Sequence, residues 1–148
     1  MTTSLHTDNA ATVAGIYEAF GRGDVPAVLD ALADNVTFDG DWAQNFAQRA
    51  GVGHLQPRLG PAQVAEFFAH IAPWQLDEFS ILDITPSARQ VVVEVRAAWT
   101  LPNGGRFADE ELHLWSFDDA GKVVRLRHYV DTAKHIAAEA GIDTLAQG

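Results

Sequence analysis

Arg106-Phe-Ala-Asp-Glu-Glu-Leu-His-Leu-Trp-Ser-Phe117, the turn Asp118-Asp119-Ala120-Gly121 and the return Lys122-Val-Val-Arg-Leu-Arg-His-Tyr-Val130 read as one antiparallel hairpin. Alternation places Glu111, His113, Trp115 and Phe117 on one face of the first arm, and Leu112 and Leu114 on the other. If Phe117 pairs with Lys122 across the turn, Glu111 lies directly opposite His128, and His113 opposite Leu126. Directly opposed residues hold their β-carbons about 5 Å apart. The hairpin therefore predicts a carboxylate against an imidazole, with a second imidazole one step along. The neighbours of that parity on the return arm are Val124, Leu126 and Val130. A polar group on so apolar a face calls for a reason.

Upstream, Gln90 to Leu101 alternates with Val91, Val93, Val95, Ala97 and Trp99 on one face, and Trp74 to Ile84 reads as extended. Pro102-Asn-Gly-Gly105 joins two of these strands, and Asn-Gly suits the positive φ angles of a type I′ turn. Val36-Thr-Phe38 is a short strand that ends at Asp39-Gly-Asp41. Three helices are marked by i, i+3, i+4, i+7 stripes: Val13, Ile16, Tyr17 and Phe20; Val25, Val28, Leu29 and Leu32; Val64, Phe67, Phe68 and Ile71. Asp8 or Asn9 is the expected cap of the first and Asp24 of the second. A short Ala-rich helix from Asp131 to about Ala140 closes the chain. Residues 43–59 lack a clean period, and long irregular segments of compact domains are often lids or else disordered. The order implies an α+β fold: one domain over residues 1–148, with a curved antiparallel sheet wrapped around three N-terminal helices.

With 148 residues, 47% of them hydrophobic, the chain suits one globular core. It has no apolar run of membrane-spanning length, and Met1 to Thr7 lacks the features of a signal peptide. The absence of cysteine excludes disulfides, thiolate metal sites and a cysteine nucleophile, and a cytoplasmic location is the natural expectation. A formal charge of −10 disfavours nucleic acid and anionic membranes as partners.

Ile16-Tyr-Glu-Ala-Phe-Gly-Arg-Gly-Asp-Val-Pro-Ala-Val-Leu29, Leu32-Ala-Asp-Asn-Val-Thr-Phe38, Gly60-Pro-Ala-Gln-Val-Ala-Glu-Phe-Phe68, Leu114-Trp-Ser-Phe-Asp-Asp-Ala-Gly-Lys-Val-Val124 and His128-Tyr-Val-Asp-Thr132 together resemble SnoaL-like proteins of the NTF2-like superfamily. The resemblance implies a conical pocket, a homodimer, and membership of a group holding polyketide cyclases, ketosteroid isomerases, epoxide hydrolases, dehydratases and non-enzymes. The ketosteroid isomerase base position corresponds to Gly40, flanked by Asp39 and Asp41. Its oxyanion tyrosine corresponds to Ile16, next to Tyr17, and its second donor to His113. The Arg-x-Asp pair and final Asp of limonene-type epoxide hydrolases correspond to Glu111-x-His113 and His128. The positions match while the residue types differ.

The expected function is cofactor-independent acid–base chemistry on a small apolar oxygenated molecule: cyclisation, isomerisation, dehydration or epoxide opening. His128 is the expected base, Glu111 its orienter, and His113 the acid or oxyanion donor. Trp115, Phe117 and Leu126 supply an apolar wall. Asp39, Asp41 and Trp42 stand where the pocket opens, with one aspartate inward or both in a solvated turn. His54 is a lid candidate, and Tyr17 a core residue whose hydroxyl reaches the cavity. His6, His70 and His135 are assigned no role, and the cross-strand spacing argues against a metal. Apolar Leu112 and Leu114 on the outer sheet face suggest contact with a second copy. The alternatives are a structural Glu111–His128 pair, a pocket that binds without catalysis, and an adaptor whose pocket is filled.

Overall fold

The computed structural model describes residues 2–42 and 44–146. Its elements are α1 (Thr2–Gly21), α2 (Val25–Asp30), β1 (Leu32–Phe38), the one-turn α3 (Phe46–Arg49), a 3₁₀ turn (Gly53–Leu55), β2 (Arg58–Leu59), α4 (Gly60–Ile71), β3 (Gln75–Pro86), β4 (Gln90–Thr100), β5 (Arg106–Phe117), β6 (Val123–Tyr129) and α5 (Thr132–Glu139). Six strands form one sheet in the order β2-β1-β6-β5-β4-β3, antiparallel throughout except for the β1–β6 pair. This is the α+β arrangement that the residue pattern implies.

The predicted stripes pack where the periodicity places them. Val13 and Ile16 of α1, Val28 of α2 and Val64 of α4 are buried against Val91, Val93 and Val95 of β4. Three local expectations change. α1 starts at Thr2, so Asp8 and Asn9 lie inside it, not at its cap. Leu32 opens β1 and does not end α2. The loop at Pro102–Gly105 is not type I′, because Gly104 has φ 90° while Asn103 is not in the left-handed region. Asn103 instead donates its side-chain amide to the carbonyl of Glu139 at 3.0 Å, tying the turn to the end of α5.

The largest correction concerns the register of β5 and β6. Phe117 pairs with Val123, and a shift follows, so that Trp115 pairs with Leu126 and His113 with His128. The bulge makes Val123 the fully buried residue, while Val124 is half-buried. A bulge adds a residue to one strand only, and alternation cannot reveal it. The net displacement is two residues, so from Arg125 onward each β6 side chain keeps its predicted face but not its partner, while Val123 takes the inner position expected of Val124. Glu111 is not opposite His128; His113 is.

Residues 44–59 form a wall with its own small core, in which Ala47, Val52 and Leu55 pack against Val130 and Ile136. This wall and α5 close the end of the sheet that carries the site. α5 approaches so closely that a β-carbon on Gly105 would fall on the Ala138 carbonyl. Gly105→Ala should therefore lower stability by about 1–3 kcal/mol, read as a shift in the denaturation midpoint. The change at Gly104, where no neighbour is near, should cost only its positive φ.

Candidate acid–base site

The site grows from the inner face of β5. Asp109, Glu111 and His113 are buried and alternate with exposed residues, so strand parity alone aligns three titratable groups on the concave side. Trp115 continues the row. β6 brings His128 beside His113, their ring centroids 4.9 Å apart and nearly perpendicular.

His128 is held by Asp39. The Asp39 carboxylate accepts the His128 backbone N–H at 2.8 Å and ring Nδ1–H at 2.7 Å. Asp39 sits just beyond β1 with φ 53°, a left-handed conformation that aspartate tolerates better than most residues. That turn breaks the strand alternation and lets Phe38 and Asp39 both be buried. Burial pushes the His128 pKa down, but the facing carboxylate outweighs it and the result lies above the ordinary histidine value. Among the described residues, Nε2 of His128 has no hydrogen-bond partner, yet it is not sealed off. It faces the cavity.

His113 is committed on both sides. Trp115 Nε1–H donates to the Tyr17 hydroxyl at 3.1 Å, so the hydroxyl proton is directed to His113 Nδ1, 2.6 Å away. His113 Nε2–H then donates to Glu111 Oε1 at 2.9 Å. Burial holds the His113 pKa below its ordinary value despite the Glu111 bond, and burial also raises that of Tyr17, so both are neutral. Glu111 is buried, which opposes its charge, but the bonds from His113 and His135 hold it ionised well below the usual carboxylate range.

A second cluster joins through Glu111. His135 of α5 places Nε2 2.8 Å from Asp109 Oδ2 and 3.4 Å from Glu111 Oε2, and its Nδ1 2.8 Å from His54 Nε2. Burial disfavours the His135 cation, but the two carboxylates overcome it and raise its pKa to about 9. Burial raises Asp109 to about 6 and drives His54 well below the ordinary histidine value. Asp109, Glu111 and His135 also lie close enough together to share a metal ion. Their mutual hydrogen bonds already account for the arrangement.

These groups border a cavity of about 90 Å³. His54, His135, Glu111, His113 and His128 form one wall, faced by rings that include Phe20, Phe67, Phe68, Phe79 and Trp99. Of the residues singled out from sequence, Tyr17, His54, Glu111, His113, Trp115, Leu126 and His128 line it. Asp39 stands directly behind His128. Asp41 is exposed, and Trp42 packs outside the sheet on Tyr129 and under the Arg127 guanidinium. Phe117 is core and does not reach the cavity. The orienter of His128 is therefore Asp39, not Glu111. Asp109 and His135 escaped the sequence reading. Asp109 shares the parity of Glu111 and so carried a usable signal, whereas His135 sits in a short helix with none.

His135 links the site to stability. Its folded pKa of about 9 exceeds the ordinary 6.5, so its contribution is complete below pH 6.5 and lost as pH rises through 9. His128 acts in the same direction. Unfolding free energy should fall by about 1–3 kcal/mol across that window. His135→Gln should flatten the fall, as read from denaturation curves at pH 6.5, 7.5 and 9.

Residues 13–126 match the family model of the SnoaL-like domain. No curated protein sequence matches the chain. Among solved structures, an NTF2-like protein of unknown function from Burkholderia pseudomallei is 28% identical, with 88% of this chain and 96% of that one covered and a TM-score of 0.73. TerC, co-crystallised with polyporic acid, is 21% identical over 90% of this chain and 98% of its own, with a TM-score of 0.70. Delta 5-3-ketosteroid isomerase from a Mycobacterium species is 21% identical over 86% and 95%, with a TM-score of 0.65. An epoxide hydrolase from M. tuberculosis shares the fold as well.

Proposed function

The chain belongs to the SnoaL-like family of NTF2-like folds, and from that premise we propose that it is a cofactor-independent proton-transfer enzyme acting on a small, largely apolar, oxygenated molecule. One observation carries the reading: His128 presents a free Nε2 to an aromatic cavity while a buried carboxylate grips its other nitrogen. As imidazolium, Nε2–H donates to a substrate oxygen. As neutral imidazole, the same nitrogen takes a proton from carbon next to a carbonyl. Returning that proton to another carbon isomerises the substrate; giving it to a departing hydroxyl dehydrates it. Neither balance needs a cofactor. Asp39 fixes the tautomer and stabilises the cation. His113, with both nitrogens engaged, serves as wall and electrostatic neighbour.

Cavity size narrows the substrate. A cavity of roughly 150 Å³ accepts benzene, and the space here is about 90 Å³. A short chain fits, a single ring requires the aromatic wall to give way slightly, and a multi-ring polyketide requires it to open. Wild-type protein in deuterium oxide should exchange the α-hydrogens of cyclohexanone. His128→Gln should slow this at least about 100-fold, the usual scale of a lost acid–base group. Exchange that survives the substitution would sink the assignment.

The rate should climb with pH through an apparent pKa above 6.5, the direction set by Asp39. Asp39→Asn should bring that limb below 6.5, since burial is then opposed only by the weaker influence of Glu111. A limb that stays put would show that another group titrates.

A non-catalytic binding role draws support from the same His128, because one donor on an apolar wall is also what a ligand anchor requires. A ligand recovered unchanged and undeuterated would favour it. We also propose a homodimer through the outer sheet face. Leu112 and Tyr129, paired across β5 and β6, are 44% and 41% exposed. Leu112→Glu should convert a dimer to monomer in light scattering.

A further inference from the structure

The segment that walls the cavity also reaches the carboxylate behind His128. Gln48 Nε2 donates to the backbone carbonyl of Asp39 at 2.6 Å. A carbonyl oxygen only accepts, so the amide nitrogen is the end of Gln48 that faces it. The side chain stands on a built frame. Asn45 Oδ1 accepts the Gln48 backbone N–H at 3.0 Å, and the Gln48 carbonyl accepts Gln56 Nε2–H at 3.0 Å. The Arg58 guanidinium closes the frame by donating to the carbonyls of Gln56 and Gly53 at 3.0 Å and 3.1 Å. Asn45 is buried and Gln48 half-buried.

This bond completes the polar accounting of Asp39. Its N–H donates to the Leu126 carbonyl at 2.8 Å, its carboxylate accepts the backbone and ring N–H of His128, and its carbonyl accepts Gln48. A left-handed backbone in a residue other than glycine is strained, and it persists where the surroundings over-determine it. Asp39, at φ 53°, is such a residue. Its other anchors come from β6, whereas Gln48 grips the Asp39–Gly40 peptide from outside the sheet, and glycine offers that peptide little resistance to rotation. We propose that Gln48 is a positioning residue of the site: its bond to the Asp39 carbonyl holds the left-handed turn and so aims the carboxylate at His128 Nδ1. Without it the turn relaxes, the 2.7 Å bond lengthens, and the His128 cation loses part of its support. Gln48 itself moves no proton. Its service to proton transfer rests on the function proposed above; its effect on His128 does not. The other charged or titratable groups around the ring are His113 and Glu111 from β5, His135 from α5, His54 from the 3₁₀ turn and Arg58 near Asp39, while α4 presents the Phe67 ring. Among the described residues, none of these bonds to Gln48 through its side chain.

Titration of the full chain with ¹⁵N-labelled histidine reads His128 without a substrate. Gln48→Met keeps the length of the side chain and removes its donor. The His128 midpoint should fall by about one pH unit, part of the roughly 1–3 that an adjacent opposite charge supplies. Gln48→Asn, whose amide stops one carbon short of the carbonyl, should lower it too, and carries the test if the methionine variant does not fold. A further variant combines Gln48→Met with Asp39→Asn. If Gln48 acts through Asp39, the double variant should titrate where Asp39→Asn does alone. A midpoint that stays put without the Gln48 amide, or a fall that adds in full to that of Asp39→Asn, overturns the inference. The rising limb of cyclohexanone exchange should move down with the titration. If the midpoint falls but the wild type exchanges no cyclohexanone, the positioning role holds and the proposed reaction falls.

Discussion

One carboxylate holds the site and part of the fold together. Asp39 leaves β1 in a left-handed turn, donates its own N–H to the Leu126 carbonyl, and receives two bonds from His128. The three bonds fasten the end of β1 to β6, the one parallel pair in the sheet. They also decide which His128 nitrogen is free. Removing one partner of a buried ion pair typically costs about 3–5 kcal/mol, because the other charge is left stranded. The architecture and the chemistry thus depend on the same contact.

The remaining polar groups answer a different physical need. Burying Glu111, Asp109, His113 and His135 beside an aromatic cavity is costly unless each finds partners. The network from Trp115 through Tyr17, His113 and Glu111 to His135 meets that condition almost completely. A satisfied network is rigid, and its proton positions are determined by its end members. Here the ends are the Trp115 N–H, which can only donate, and two carboxylates, which as ions can only accept. The tautomers between them follow. Among the described residues, two buried atoms of this cluster have no partner, His54 Nδ1 and Asp109 Oδ1.

Much of this was legible in the chain. Alternation on β5 separates the inner Glu111 and His113 from the outer Leu112 and Leu114, and a register slip of two residues preserves that division. The pairing itself was not legible. Whether Phe117 meets Lys122 or Val123 depends on a bulge, a local geometry without a composition signature in Asp118 to Val124. Asp39 could be placed near the pocket, but its partner could not be chosen. Asp39 and Asp41 share a parity, so alternation could not choose between them, and the positive φ at each takes the chain out of the strand pattern altogether. Trp42 followed the opposite course, going to the outer face against Tyr129. His135 was hidden most deeply. A short helix has too few turns to declare a face, and its depth is set by how closely α5 meets Gly105.

The division of labour among elements explains how one fold hosts unlike reactions. β5 and β6 are fixed by backbone ladders on both sides, so positions 111, 113 and 128 point inward whatever residues occupy them. Their partners come from elsewhere: Asp39 from the end of β1, His135 from α5, His54 from the segment before α4. The last two lie outside the sheet ladders and can change with little effect on the sheet, whereas Asp39 is also part of what fastens β1 to β6. Exchanging a partner changes the protonation state of an inward residue without moving it. Here Asp39 gives His128 a raised pKa and an open nitrogen, while Tyr17 and Glu111 leave His113 neutral and closed. Two histidines side by side on one wall are thereby made chemically unequal, and that inequality leaves His128 Nε2 as the imidazole nitrogen of the pair that is open to the cavity.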